Sequence, residues 1–310
     1  MNRRAFLDKA LRGGMGAWLM TQAWARWAEA RAFRRIVILH TNDVHSRIEP
    51  FPENAGPMAG LGGAARRATL VRRLRAQEPH LLLVDAGDIF QGTAYFNLFR
   101  GELDFRTMSA IGYDLATLGN HDFDLGVEGL LRALEHARFG FLSANYRFES
   151  AELRAAVRPY AVRELAGVRV GLIGVGIDLE GLLPAPLRAG VRYEDPVPIV
   201  RELVAHLRRR ERSHLVVVLS HLGYEYSSPR IDDVKLARAV PGIDLIIGGH
   251  THTFLDAPRV IEHEHEPPTW IVQAGWGGVR LGRVDFVFDA QGRLVRRLAL
   301  GYTLDGRWSA

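Results

Sequence analysis

The chain has 310 residues, of which 47% are hydrophobic and 24% are charged, with 32 glycines, 14 prolines and no cysteine. This composition excludes a disordered chain, a collagen-like repeat, a coiled coil and a disulfide scaffold. The formal net charge is +5, but five basic and two acidic residues fall within the first 30 positions. The remainder is therefore nearly neutral, and we expect no nucleic acid polymer as a partner.

The first thirty residues have the pattern of a twin-arginine export signal. Arg3 and Arg4 precede a mildly apolar, uncharged stretch over residues 13–25, which is too short to span a membrane, and an Ala-x-Ala cleavage pattern follows at 28–30. We therefore expect a signal peptide over residues 1–30, a periplasmic or otherwise extracytoplasmic location, and no stable membrane insertion. An ordinary amphipathic first helix is the alternative.

The rest of the chain repeats a short apolar run, a polar loop and a stretch with helical periodicity. In chain order, strands are predicted at 35–40, 80–85, 114–118, 139–144, 168–175, 213–220, 243–247, 270–273 and 283–288, and helices at 62–77 and 198–210. This alternation predicts an α/β fold with a mainly parallel core. The runs from Trp270 onward are joined by Gly-rich turns, which predicts antiparallel hairpins. No linker interrupts residues 31–310, so we expect one domain there.

Polar side chains that can bind metals follow five of these strands. They are Asp43 and His45, Asp88, Asn120 with His121 and Asp124, His221, and His250 with His252. The carboxyl ends of strands in an α/β sheet form a shared crevice in which ligands bind. Aspartate, histidine and asparagine without cysteine suit divalent Mn, Fe, Zn, Co or Ni. These ligands outnumber the positions around one ion and indicate two ions that share Asp88.

Two pairs of these residues are separated by a single position, Asp43 with His45 and His250 with His252. In an extended chain, residues two apart point the same way. The spacing therefore predicts that each pair lies on extended backbone and can reach one metal.

Five blocks resemble the successive signatures of calcineurin-like metallophosphoesterases, and within them the 5′-nucleotidase family with its 2′,3′-cyclic phosphodiesterase members. The blocks are ILHTNDVHSRIEP, LLLVDAGDIFQG, LATLGNHDFDLG, LSHLGYE and IIGGHTHTF. The resemblance implies a four-layer α/β/β/α sandwich of two mixed sheets. It also implies two metal sites, one formed by Asp43, His45, Asp88 and His252 and the other by Asp88, Asn120, His221 and His250. His121 and Asp124 match the family's catalytic dyad.

The resemblance further implies an exported enzyme that hydrolyses small phosphomonoesters, 5′-nucleotides first, through attack by a hydroxide that the two metals activate. Hydrolysis of 2′,3′-cyclic nucleotides or other diesters, or of a sulfur ester on a carrier protein, is the alternative. A non-catalytic metal- or phosphate-binding domain ranks last, because every ligand and dyad position is filled. Nucleotidases of the family usually carry a C-terminal domain whose aromatic residues stack on the base. We expect that domain to be absent after Ala310, which leaves nucleoside specificity open, and no protein partner is indicated.

Other residues allow both a functional and a structural interpretation. The aromatic residues Tyr95, Phe96 and Phe99 follow the Asp88 loop, and they either line the substrate pocket or pack in the interior. Asn120 is expected to contact the substrate as well. Weaker candidates for the pocket are Tyr224, Tyr226, Phe254 and Trp276. We expect His40 to support the site or to lie in the core, and the EHEHE tract at 262–266 to be a solvated turn. The arginines of the first predicted helix are expected to form a solvated face, and contact with an anionic substrate or a lipid surface is the alternative; they are Arg66, Arg67, Arg72, Arg73 and Arg75.

Overall fold

A computed structural model describes residues 33–309. The predicted signal peptide at 1–30 lies outside these described residues. The strands are β1 (Arg34–Thr41), β2 (Leu81–Asp85), β3 (Leu115–Thr117), β4 (Gly140–Leu142), β5 (Tyr146–Phe148), β6 (Val157–Arg158), β7 (Tyr160–Leu165), β8 (Val168–Gly176), β9 (Val191–Tyr193), β10 (Leu215–His221), β11 (Leu245–Gly248), β12 (Arg259–Ile261), β13 (Thr269–Val272), β14 (Arg280–Phe288) and β15 (Leu294–Thr303). The helices are α1 (Ala64–Gln77), α2 (Ala94–Phe99), α3 (Glu102–Ile111), α4 (Gly126–Leu134), α5 (Ala151–Ala156), α6 (Pro196–Arg209) and α7 (Asp233–Ala239), with short 3-10 turns at Gly56–Met58, His121–Phe123 and Gly306–Trp308.

The strands form two large mixed sheets and a two-stranded ribbon of β5 and β9. The first sheet has the order β15-β14-β1-β2-β3-β4-β6, and the second has the order β12-β13-β11-β10-β8-β7. Strands β1, β2, β3, β4 and β6 run parallel, while β14 and β15 extend that sheet in antiparallel pairing. In the second sheet β8, β10, β11 and β13 are parallel, and β7 and β12 are antiparallel edge strands. The predicted α/β fold with two mixed sheets is confirmed.

Alternate residues of each central strand explain how the layers stack. In β1, Val37 and Leu39 pack against α1 and α3, whereas Ile36 and Ile38 face the second sheet. In β10, Val217 faces the first sheet and Val218 packs against α6 and α7. Both faces of these strands are therefore apolar, as is typical of buried parallel strands. Each fully buried aliphatic side chain contributes about 1.5–3 kcal/mol, so burial of both faces of each sheet stabilises the observed order helix, sheet, sheet, helix.

The helix boundaries also have local causes. Helix α1 begins at Ala64, two residues later than predicted, because Gly62 and Gly63 have positive φ angles of 81° and 100°. Helix α6 begins at Pro196 because the Asp195 side chain accepts a hydrogen bond from the backbone N–H of Val197. No helix within residues 33–309 is long and apolar enough to cross a bilayer.

The prediction of antiparallel hairpins after Trp270 is only partly correct. Strands β14 and β15 are antiparallel, and so are β12 and β13. However, β13 also pairs in parallel with β11, with Trp270 opposite Leu245. The stretch between β11 and β13, which contains β12, returns the chain so that β13 runs in the same direction as β11. Strand β14 then joins the first sheet beside β1. The EHEHE tract lies between β12 and β13, and most of it is exposed, as expected.

One arginine of helix α1 does not lie on a solvated face. Arg67 is only 1% exposed, and its guanidinium lies 6.0 Å from the ring of Tyr113. It shares the inner face of the helix with Leu70 and Val71, since residues three and four apart lie on one side. The prediction is therefore wrong for Arg67, while Arg72 and Arg73 are exposed. His40 is 3% exposed, and burial lowers its pKa to about 3, which places it in the core.

Candidate active site

The candidate ligands lie where the carboxyl ends of both sheets meet. In the first sheet, β1, β2 and β3 end just before Asp43, Asp88 and Asn120. In the second sheet, β10 ends on His221 and β11 ends two residues before His250. The parallel pairing of these strands brings their ends to the same edge, which is where α/β folds bind ligands.

The loops that present these ligands are not extended. The φ angles of Asp43, His45, Asp88, His250 and His252 are 50°, 52°, 55°, 70° and 53°, all in the left-handed region. The predicted extended backbone is therefore wrong, and each ligand turn stores strain of the kind that collects at functional sites. A further consequence is that Asp43 and His45 belong to one group of ligand atoms, whereas His250 and His252 belong to different groups.

The first group consists of Asp43, His45 and His252, whose ligand atoms lie within 4.8 Å of one another. The Nε2 atoms of His45 and His252 are 3.0 Å apart, and His252 Nε2 lies 3.4 Å from Asp43 Oδ1. The carbonyl oxygen of Phe90 accepts the Nδ1 proton of His45 at 3.1 Å. Since a carbonyl can only accept, this bond leaves His45 Nε2 as the ligand atom.

The second group consists of Asp88, His221 and His250. His221 donates its Nδ1 proton to the carbonyl oxygen of Ala86 at 2.7 Å, and its Nε2 lies 3.1 Å from Asp88 Oδ2. Despite this close approach, the buried Nε2 forms no well-aligned hydrogen bond within residues 33–309. Asn120 adds a carboxamide oxygen, because its Oδ1 lies 2.8 Å from His250 Nδ1.

Two carboxylates lie between the two groups. Asp88 Oδ2 is 3.1 Å from His221 Nε2 and 4.0 Å from His45 Nε2. Asp43 Oδ1 is 3.4 Å from His252 Nε2 and 4.0 Å from His221 Nε2. Asp88 thus approaches a histidine of each group. The sequence did not indicate that Asp43 also approaches both groups.

The residues fit two divalent cations. Ligand atoms that sit about 2.0–2.2 Å from one ion lie about 3–4 Å from each other, and the separations of 3.0 Å, 3.4 Å and 3.1 Å found within the two groups match this spacing. The histidines His45 and His221 have their second ring nitrogen fixed by a backbone carbonyl, as metal-binding histidines usually do. Burial opposes protonation of His221, but the charges of Asp88 and Asp43 outweigh it and raise its pKa to about 10. The site therefore attracts positive charge strongly.

His121 and Asp124 form a hydrogen-bonded pair beside the second group. His121 Nδ1 and Asp124 Oδ2 are 2.9 Å apart, and the backbone N–H of His121 donates to Asp88 Oδ1 at 2.8 Å. The ring meets that of His45 edge-on, with centroids 5.4 Å apart. The hydrogen bond with Asp124 is the main cause that raises the pKa of His121, and burial opposes it. Because Nδ1 faces Asp124, Nε2 is the nitrogen available to a substrate.

Asp122 is a central residue that the sequence analysis missed. It is fully buried, and its carboxylate accepts the backbone N–H groups of Asp88, Ile89, Phe90 and Gly119 at 2.8–3.2 Å. It therefore fixes the loop that carries Asp88 against the loop that carries Asn120. Its position between His121 and Asp124 in the GNHDFD block was the available signal.

Asn42 performs a similar role for the first group. Its side-chain amide donates to Asp43 Oδ2 and to the carbonyl oxygen of Gly275, each at 2.6 Å. Its own Oδ1 accepts the backbone N–H of Ala274 at 2.8 Å. Asn42 thereby orients the Asp43 carboxylate, and its place beside Asp43 in the HTND block could have indicated this.

The three aromatic residues after the Asp88 loop separate into two environments. Phe96 is 7% exposed and packs on Phe90 with ring centroids 5.6 Å apart, so it belongs to the core and does not line a pocket. Tyr95 and Phe99 stack on each other at 6.5 Å, and Phe99 is 45% exposed. The Tyr95 hydroxyl donates to Glu49 Oε1 at 2.9 Å. These two rings remain candidates for substrate contact.

Among the weaker aromatic candidates, Trp276 lies at the ligands themselves. Its ring stacks on His252, with centroids 5.5 Å apart and an interplanar angle of 10°. Phe254 instead packs beneath the guanidinium of Arg280 at 5.3 Å. Trp276 therefore supports a ligand, which its position in the sequence had not suggested.

Two mixed sheets with two groups of aspartate and histidine ligands at their shared edge define a metallophosphoesterase. The chain belongs to the calcineurin-like phosphoesterase family, whose sequence profile matches residues 36–254. It is 35% identical over 285 residues to the snake venom 5′-nucleotidase of Gloydius brevicauda, covering 84% of this chain and 46% of that protein. It is 32% identical over 290 residues to the 5′-nucleotidase of Homo sapiens, covering 87% of this chain and 49% of that protein.

A solved structure gives the same result. The 5′-nucleotidase precursor of Thermus thermophilus superposes with a TM-score of 0.78 at 34% identity, covering 89% of this chain and 55% of that one. The chain thus spans about half the length of these relatives. The predicted class, a metal-dependent phosphoester hydrolase, is confirmed at the level of the family.

Proposed function

We propose that the chain hydrolyses small phosphomonoesters, with 5′-nucleotides as its first substrates. The observation that carries the proposal is the juxtaposition of two groups of metal ligands with the His121–Asp124 pair at one edge of the fold. The relatives named 5′-nucleotidases support the choice of nucleotides over other phosphomonoesters.

The ligand sets that we assign follow the two groups and the shared carboxylate. Asp43, His45, Asp88 and His252 would hold one ion, and Asp88, Asn120, His221 and His250 would hold the other. Mn, Fe, Zn, Co and Ni all accept such donors. When bound, two such ions supply a water-derived nucleophile near neutral pH and positive charge for the phosphate oxygens.

In this proposal His121 supplies the proton. Its Nδ1 is held by Asp124, which favours the imidazolium form and leaves the Nε2 proton for the leaving oxygen. The His121 side chain is 35% exposed and the Asp124 side chain is 19% exposed. His121 can therefore contact a substrate, while Asp124 is largely buried. Asn120 lies beside His250, where its amide N–H groups can donate to a phosphate oxygen.

We further propose that residues 31–310 act as one catalytic domain, which residues 1–30 direct to the periplasm. The arginine pair at positions 3 and 4 supports this. Replacement of Arg3 and Arg4 by lysine is expected to keep the chain in the cytoplasm, as measured by cell fractionation. Unchanged export of the double variant would contradict the assignment.

The substrate assignment is tested by reconstituting residues 31–310 with Mn²⁺. Hydrolysis of AMP, p-nitrophenyl phosphate, its bis-ester and 2′,3′-cyclic AMP is compared side by side. We expect AMP to have the highest kcat/KM and both diesters the lowest. A preference for either diester would overturn the monoesterase proposal, and generic turnover without preference for AMP would overturn the nucleotidase part.

A further inference from the structure

The loop that follows β10 lies against the turn that carries two of the metal-ligand candidates. The backbone N–H of Tyr224 donates to Thr251 Oγ1 at 3.0 Å, and Thr251 stands between His250 and His252. The Tyr226 hydroxyl donates back to the carbonyl oxygen of Leu222 at 2.9 Å, which closes the first part of the loop. The rest of the loop therefore starts from a fixed position beside the second ligand group.

Arg230 connects this loop to the loop after β8. It is half-buried, and its Nη2 donates to the carbonyl oxygen of Asp178 at 3.2 Å. Its guanidinium also lies 5.8 Å from the centre of the Tyr226 ring. Since β8 and β10 are parallel neighbours, Arg230 stands at the same carboxyl edge of the sheet as His221 and His250.

The charge of Arg230 is not neutralised by an ion pair within the described residues 33–309. The Asp178 carboxylate accepts the backbone N–H of Glu180 at 3.0 Å, and the Arg230 hydrogen bond goes to the Asp178 carbonyl oxygen instead. Tyr224, at the start of the same loop, is hydrogen-bonded to Thr251 between His250 and His252. The Arg230 guanidinium therefore lies on a loop that borders the second ligand group.

The neighbouring basic residues differ in this respect. A cavity of about 290 Å³ beside Asp178 is lined by Tyr193, Arg188 and Arg192, among others. Arg188 lies 3.8 Å from a Glu180 carboxylate oxygen, and Arg192 lies 2.9 Å from one of Glu194. Both of these arginines therefore have an acidic partner, whereas Arg230 keeps its charge for a ligand that enters the crevice.

We propose that Arg230, beside the Tyr226 ring, forms a subsite for a second phosphate group of the substrate, next to the scissile one. A guanidinium binds phosphate oxygens with two parallel hydrogen bonds, which a lysine cannot reproduce. The subsite would favour nucleoside diphosphates over monophosphates. This inference rests on the proposed phosphomonoesterase function.

The test compares kcat and KM for ADP and AMP in the wild type and in Arg230→Met, Arg230→Lys and Arg192→Met. We expect Arg230→Met to raise KM for ADP about 10- to 100-fold more than KM for AMP, the range of a lost charge-assisted contact. Arg230→Lys should recover only part of the loss. Arg192→Met is the matched control, since Arg192 already has an acidic partner, and it should leave the ratio unchanged.

The proposal would be overturned if Arg230→Met changed KM for ADP and KM for AMP by the same factor, which would leave their ratio unchanged. Calorimetric binding of pyrophosphate and of phosphate to the Mn²⁺-loaded protein provides a readout without turnover. We expect pyrophosphate to bind at least tenfold more tightly than phosphate to the wild type, and this preference to disappear in Arg230→Met. If the preference is present but no nucleotide is hydrolysed, the proposed function fails and the subsite stands. Absence of the preference in the wild type overturns the subsite.

Discussion

Replacement of His121 by asparagine separates proton donation from metal binding. His121 contacts Asp124 through Nδ1 and Asp88 through its backbone N–H, and the substitution keeps the latter contact. Asparagine cannot donate an acidic proton, so the leaving oxygen must depart without help. The neighbouring ligand Asn120 is not changed. We therefore expect bound metal to remain while turnover falls.

The magnitude depends on the leaving group. General acid catalysis contributes about 10²- to 10⁴-fold, and we expect a loss of that size in kcat/KM for AMP, whose nucleoside alkoxide needs a proton. p-Nitrophenolate leaves readily without one, so the loss with p-nitrophenyl phosphate should stay below about tenfold. Asp124→Asn replaces the carboxylate that accepts the His121 Nδ1 proton at 2.9 Å with a neutral amide, and the loss of this charge assistance corresponds to about 10- to 100-fold on AMP.

The pH dependence of kcat/KM tests the role of His121 independently. The hydrogen bond and charge of Asp124 raise the pKa of His121, so Asp124→Asn lowers that pKa. A general acid works only while protonated, and the alkaline limb of kcat/KM for AMP should move to lower pH in this variant. The assays are steady-state kinetics across pH together with metal content. His136→Asn, at a histidine paired with Glu102 away from the site, is the matched control. Equal losses on both substrates would refute proton donation by His121.

The remaining predictions concern the support of the ligands. Asp122→Asn replaces one of the two carboxylate oxygens, each of which accepts two backbone N–H groups. The free energy of unfolding should therefore fall by about 2–6 kcal/mol in denaturant titrations. A loss of stability no larger than that of Asp124→Asn would contradict the role of Asp122 in holding the two loops together. Gly119→Ala directs a Cβ into the Asp88 carboxylate, and we expect kcat/KM to fall more than tenfold, whereas unchanged kinetics would show that the loop can move. Trp276→Ala removes the ring stacked on His252 and should weaken binding of one metal ion about tenfold in competition with a chelator; wild-type affinity for both ions would refute this support.

The sequence predicts the buried strands well and the exposed ones poorly. Each predicted strand overlaps an observed one, because a parallel strand covered on both faces is a continuous apolar run. Strand β15 was missed, since its exposed face carries Arg296 and the strand has no continuous apolar run. Strand β7 was missed for a similar reason, with two exposed polar residues, Arg163 and Glu164, near its end.

For the site, residue type and order predict which side chains meet but not how the backbone presents them. The left-handed turns at Asp43 and His250 depend on tertiary contacts such as the hydrogen bonds from the His250 N–H to the Asp43 carboxylate, at 3.0 Å to each oxygen. The separation of His250 from His252 follows from these turns. Asp122 was missed because its four partners are backbone groups, so only its place in the GNHDFD block could have indicated its role.

A metal titration tests the two-ion account most directly. The metal-free protein is titrated with Mn²⁺ while bound metal and AMP hydrolysis are measured together, for the wild type and for His45→Asn, which removes one ligand of the first group. We predict that wild-type activity rises until two ions are bound per chain and that His45→Asn binds one ion and is inactive. Full activity with one ion or none, in either protein, would contradict the dinuclear site.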